Sequence, residues 1–394
     1  MVIRKISILI IIVLLAAAGA GYKFLDNNTK ENLTRRVEGF KSLVPPINIL
    51  CSYSDKLDYY YFTGDNPLWE KNNKFGIYVY AENADFFEIA QKLVNSNGGK
   101  WGYVLIPYNV KDNDVDKWTR VFEQLNSKQL IPIIQLWDVE VSDYKRQTDR
   151  AAEFLNSFKW PIRFRYISVY NEPNDEKFWY GRVDPKEYAE ILEYTIDSFK
   201  AENADFVLMN GALNTSAPSN NSSMDAFAYM RAMNDAVPGI FEKLDAWASH
   251  SYPQPNFSGS PYVSGRWSIR AYDLELDYLK KSLDVEKGLP VFITETGWAH
   301  AEGDAYNDQF LPVETIAEYF RIAYEEVWLK DDRVRAVTPF TIRYDPPFDH
   351  FSWINKDKVP YKHYDELRKI KKVKGEPPVL QSATINLRRC AEDE

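Results

Sequence analysis

Tyr166-Ile167-Ser168-Val169-Tyr170-Asn171-Glu172-Pro173 decides the fold: a strand-like apolar run that ends abruptly on an amide, a carboxylate and a proline. A nearly continuous apolar run is what a strand covered on both faces requires, as in a parallel sheet. An ionised carboxylate at the edge of a closed core is costly to desolvate, so Glu172 stands at that strand's end for a reason other than packing. The run Val291 to Thr294 repeats the pattern and ends on Glu295.

Outward from these two, six more runs have the same character: Gly76 to Tyr80, Gly102 to Ile106, Ile131 to Leu136, Phe206 to Asn210, Ala246 to Ser249 and Ala336 to Phe340. Amphipathic helices lie between them. Phe86, Ile89, Ala90 and Leu93 share one stripe ahead of Gly98-Gly99, which reads as a stop. Asp114 reads as the N-cap of a helix that presents Trp118, Val121, Phe122 and Leu125. Asp184-Pro185 starts another, with Tyr188, Ile191 and Leu192 inward. Alternating strands and helices predict an α/β fold, a TIM (β/α)8 barrel. An open doubly wound sheet is the runner-up, disfavoured because no glycine-rich phosphate loop follows any strand.

The expected organisation is a signal peptide or membrane anchor over residues 1–25, a linker and N-terminal segment over 26–73, a catalytic barrel over 74–372 and a tail over 373–394. Arg4 and Lys5 precede an apolar run from Ile6 to Leu15 and the small residues Ala16 to Gly21, a targeting pattern that fits cleavage or an uncleaved anchor. Either way the barrel is expected outside the cytoplasm, with membrane contact only through an uncleaved N-terminus. There Cys51 and Cys390 could pair, or remain two buried thiols.

The 394 residues carry 48 basic against 57 acidic side chains, a net charge of -9, which argues against a nucleic-acid partner. Aromatic residues make up 15% of the chain, enough for a groove that stacks sugar rings or simply for an aromatic core.

A barrel concentrates its chemistry at the carboxyl ends of its strands. Those ends offer Asp138 after the third strand, Asn171 and Glu172 after the fourth, Asn210 at the fifth, His250 and Tyr252 at the sixth, and Glu295 at the seventh. Glycosidic cleavage needs one carboxylic acid to protonate the leaving oxygen and one carboxylate to meet the anomeric carbon, and Glu172 with Glu295 supplies both. Asn-Glu-Pro alone is an ordinary turn tripeptide, and Thr-Glu-Thr-Gly-Trp alone could close any strand. The catalytic reading comes from finding both, in order and three βα units apart.

Ser-Val-Tyr-Asn-Glu-Pro-Asn (168–174) and Phe-Ile-Thr-Glu-Thr-Gly-Trp (292–298) resemble the two signatures of glycoside hydrolase clan A, the retaining β/α-barrel glycosidases. The resemblance implies Glu172 as acid/base, Asn171 holding a sugar hydroxyl and Glu295 as nucleophile. It also implies His250 or Tyr252 beside the nucleophile, and Trp353 as a sugar platform. Trp298, next to the second signature, is expected in the groove. The chain departs from the clan in strand two, where Leu105 stands at the usual arginine position, and Arg343 is a candidate substitute. It also has too short a tail for the β-sandwich that many relatives carry.

The expected function is therefore retaining hydrolysis of a poly- or oligosaccharide, with a carbohydrate partner, no cofactor and no metal. His250, His300, His350 and His363 show no metal-ligand spacing. The alternative, suggested by Leu105, is an inactive carbohydrate-binding barrel of the cell envelope. A structural envelope protein without sugar affinity is a third.

Overall fold

The structure, a computed structural model, describes Leu68 and residues 71–379. All of these belong to one compact unit, Asp58–Gln381. The segment expected to be a signal or anchor, most of the linker, Cys51 and Cys390 lie outside the described residues. Among the described residues no helix is long and apolar enough to cross a membrane.

Among the described residues eight strands alternate with eight α-helices: β1 (Gly76–Tyr78), α1 (Ala84–Val94), β2 (Gly102–Asn109), α2 (Val115–Lys128), β3 (Leu130–Trp137), α3 (Tyr144–Asn156), β4 (Arg165–Ser168) and α4 (Pro185–Glu202) make the first half. The second half is β5 (Phe206–Met209), α5 (Ala226–Ala236), β6 (Trp247–His250), α6 (Ala271–Ser282), β7 (Val291–Glu295), α7 (Val313–Ile322), β8 (Val334–Val337) and α8 (Lys362–Lys369).

Strands β1 to β5 form one parallel sheet and β6 to β8 another. Parallel bridges Met209 to Ala246 and Phe75 to Val337 join them at both edges, so the ring closes. This is the TIM (β/α)8 barrel expected from the alternation. Gly76 sits where β1 meets β8: a Cβ there would lie 2.6 Å from Thr338 Cγ2, so only glycine permits this approach.

Side chains alternate across the wall. Tyr103 and Leu105 of β2 point into the barrel, whereas Val104, Ile106 and Tyr108 meet the helices. The interior is filled by Tyr78, Tyr103, Tyr166 and Phe292, facing the small residues Ala246, Ala248 and Ala336. Large residues against small ones give the close packing a closed barrel needs. The helices bury the stripes read from the sequence, and Asp114 and Asp184 accept from Lys117 N and Glu187 N as N-caps. Helix α1 ends earlier than Gly98-Gly99 suggests, because Asn95 bonds across to Lys128 O and Gln129 O and turns the chain.

Candidate active site

The chain kinks where β4 gives out. Tyr170 (φ 71°) and Glu172 (φ 37°) both take left-handed backbone conformations, which cost a non-glycine residue about 1–3 kcal/mol and persist only where surrounding contacts hold them. Here Glu172 N donates to Ala212 O at 3.0 Å. Asn174 ties the loop down by donating to Asn214 O and Met224 O. Gly211 allows the crossing, since a Cβ would fall 2.7 Å from Val169 O.

On the other side of the mouth, a register shift at Ser249/His250 brings His250 level with Glu295. Nδ1 of His250 lies 2.8 Å from Oε1 of Glu172 and 3.7 Å from Oε2 of Glu295. Together these distances limit the separation of these two oxygens to about 6.5 Å. The Tyr252 hydroxyl donates to the same Glu295 oxygen at 3.1 Å. Two strand ends distant in sequence thus converge on one imidazole.

Burial raises the Glu295 carboxyl above the ordinary range, and repulsion from Glu172 adds to it, while His250 and the Tyr252 hydrogen bond pull it down. For His250 burial works downward, but Glu295 and Glu172 outweigh it and the net direction is up. When protonated, His250 is the cation that faces both carboxylates. The Tyr78, Tyr80 and Tyr252 phenols are all raised, by burial first, so they stay protonated donors around Glu295.

These groups line a cleft of about 470 Å³. One wall is a run of touching rings, Tyr78, Tyr80, Tyr344, Phe348, Phe340 and Phe351, with centroid separations of 5.2 to 6.3 Å. The opposite wall is mainly polar, with Asn171, Asp175, Asn214 and Ser216. Asn171 accepts from Gln135 Nε2 at 3.1 Å, and the Tyr78 hydroxyl holds Gln135 from the far side. Among the described residues no cluster of His, Cys, Asp and Glu is gathered as a metal site.

The structure brings Asn171, Glu172, His250, Tyr252 and Glu295 into this cleft and leaves four other expected residues outside it. Trp298 and Trp353 are each 1% exposed and pack on Phe320, so neither offers a ring face to a ligand. Asn210 is buried, its amide accepting from Ala248 N and donating to Ala248 O across the β5–β6 junction. Asp138 pairs with Lys111 and accepts from Asn109 at the rim. Arg343 does not replace the strand-two arginine: it pairs with Asp304 and Asp345. Leu105 is packed in the barrel interior, and the ionisable base beside the carboxylates is His250.

No family model and no curated protein matches the chain. Solved structures do. A β-glucuronidase from Bacteroides uniformis superposes with TM-score 0.50 at 11% identity, over 76% of this chain and 35% of that one. An endo-β-1,3-glucanase from Pseudomonas viridiflava gives 0.48 at 16% identity, covering 76% and 99%. A β-glucanase from Saccharophagus degradans in complex with cellotetraose gives 0.46 at 13%, covering 80% and 98%. At 11% identity the likeness to the β-glucuronidase is one of fold alone.

Proposed function

We propose that this chain is a retaining glycoside hydrolase that cleaves O-glycosidic bonds of a poly- or oligosaccharide by double displacement. The observation that carries the reading is the convergence of Glu172 and Glu295 on His250 Nδ1. A retaining pair stands about 5 to 5.5 Å apart, and the ceiling of about 6.5 Å between one oxygen of each carboxylate accommodates that spacing.

Glu295 attacks the anomeric carbon while Glu172 gives its proton to the departing oxygen, and the glycosidic bond breaks as the ester to Glu295 forms. Water then loses a proton to Glu172 and its oxygen displaces Glu295, which leaves as carboxylate. Glu295 must be ionised at the start, although burial opposes this. The His250 imidazolium and the Tyr252 hydroxyl supply the opposing pull, the work an arginine at Leu105 would otherwise share. The aromatic wall suits the apolar face of a sugar ring, and Asn171, with no protein acceptor for its N–H groups among the described residues, suits a hydroxyl.

Hydrolysis of aryl glycosides by the purified chain, abolished in Glu172→Ala and Glu295→Ala, tests the reading. A 2-fluoro glycoside should label Glu295; a label on any other residue overturns the assignment. Leu105 favours a second reading, an inactive carbohydrate-binding barrel, which predicts glycan affinity without turnover. The N-terminal run from Ile6 to Leu15 supports export, with the barrel outside the cytoplasm, and protease protection of intact cells would check it.

A further inference from the structure

Helix α6 turns Ala271, Tyr272, Glu275 and Leu279 toward the barrel. Three of these make an ordinary buried stripe, but the fourth is a carboxylate with no exposed surface. Such a group is costly to bury unless it is partnered. Its Oε2 accepts from Trp247 Nε1 at 3.2 Å, while Oε1 has no hydrogen-bond partner.

Trp247 packs toward the helices from β6, and Ala248 and His250 point the other way, Ala248 into the interior and His250 into the cleft. Ser249 faces the Glu275 carboxylate and also meets Ser251 Oγ at 2.9 Å. A single strand therefore separates Glu275 from His250. The second ring nitrogen of His250, Nε2, is likewise buried and unpartnered. A buried donor and a buried acceptor, each short of a partner, flank one strand. The role in the site of Glu172, Glu295 and Tyr252 leaves both unexplained.

We propose that Glu275 is a positioning residue: a third carboxylate, behind β6, that holds His250 in its imidazolium form and so sets the charge balance between Glu172 and Glu295. The electrostatic part stands on this geometry, and only its kinetic consequence rests on the glycosidase reading. The charged and titratable groups that face His250 are Glu172 from the loop after β4, Tyr252 after β6, Glu295 from β7 and Glu275 from α6. Burial raises Glu275 to about 7, with Ser249, Trp247 and the His250 charge pulling it back. Its charge thus builds up near neutrality.

The test follows the His250 ring nitrogens by NMR through a pH titration of the full chain, in the wild type, Glu275→Gln and Ser249→Ala. In Glu275→Gln the His250 midpoint is expected to fall by about one pH unit, a tenfold weaker hold on the proton. Ser249→Ala removes the hydroxyl that faces the Glu275 carboxylate and favours its ionised form, so it should move the midpoint the same way by less. An unchanged midpoint in a folded Glu275→Gln overturns the proposal; should that variant not fold, an unchanged midpoint in Ser249→Ala does so. The acid limb of kcat/KM should rise with the fall in the midpoint. A wild type that cleaves no glycoside would sink the functional reading and leave the titration to decide Glu275.

Discussion

His250 and Glu295 are cross-strand partners, and the register shift beside them leaves Thr294 as an extra residue on β7. In even register His250 would oppose Thr294, and its ring would not reach the Glu295 carboxylate. A β-bulge that re-aims a side chain next to a site is a recognised device. Here it puts an ionisable imidazole beside the two carboxylates, in a barrel whose second strand carries Leu105.

If His250 is that cation, its replacement should damage the chemistry more than the fold. Asparagine at 250 keeps a polar side chain but no charge, and removes the pull that lowers Glu295. We expect kcat/KM on an aryl glycoside to fall by about 10²-fold or more, the order seen when a positioned proton-handling group is lost. Glu295 must be ionised in the free enzyme, so the acid limb of kcat/KM should move to higher pH. A His250→Asn profile superposing on the wild type would exclude this role.

Asn210 should behave in the opposite way. Its amide pairs with both backbone groups of Ala248 where β5 and β6 share only an isolated bridge. Alanine at 210 leaves a buried N–H and a buried C=O unpaired, at about 1–3 kcal/mol each. We expect a lower thermal midpoint, with KM for oligosaccharides near the wild-type value. A stable Asn210→Ala with a raised KM would return Asn210 to the ligand.

These two residues show what the sequence can and cannot disclose. All eight strands were legible, because strands covered on both faces are continuous apolar runs in any context. Glu172, Glu295 and His250 were legible because a polar residue ending such a run is conspicuous. Asn210 is equally conspicuous but faces the next strand, and no periodicity reports that the barrel has a gap there to be bridged. Trp298 closes the second signature, yet the turn at Gly297 (φ 145°) carries it into the core. Tyr78, Tyr80 and Phe340 line the cleft but read as the apolar ends of their own strands. Gln135 sits within β3, and only the closed barrel brings it to Asn171. Neither the register shift at His250 nor the left-handed backbone at Glu172 has a compositional signal.

The aromatic wall makes a prediction about ligand length. Tyr344 and Phe348 continue the ring contacts from Phe340 to the rim, where they are 36% and 48% exposed. A sugar beyond the reacting ring would lay its apolar face on these rings. Phe348→Ala should therefore raise KM for an oligosaccharide severalfold and leave that for an aryl monosaccharide unchanged. Equal changes in both would place Phe348 at the reacting sugar instead.

Glu275 carries a stability prediction independent of any turnover. Its carboxyl is lifted in the folded chain from 4.5 to about 7, so between these values the folded state holds a proton that the unfolded state has released. Stability linked to this group is therefore greatest below about 4.5, declines as pH rises and levels off above about 7. At 1.36 kcal/mol per pH unit the full span is worth about 3 kcal/mol. Glutamine keeps an acceptor for Trp247 Nε1 and removes the titration. Glu275→Gln should thus gain on the wild type in chemical denaturation as pH is raised from 5 to 8. A stability difference that does not change with pH would mean that Glu275 is ionised throughout.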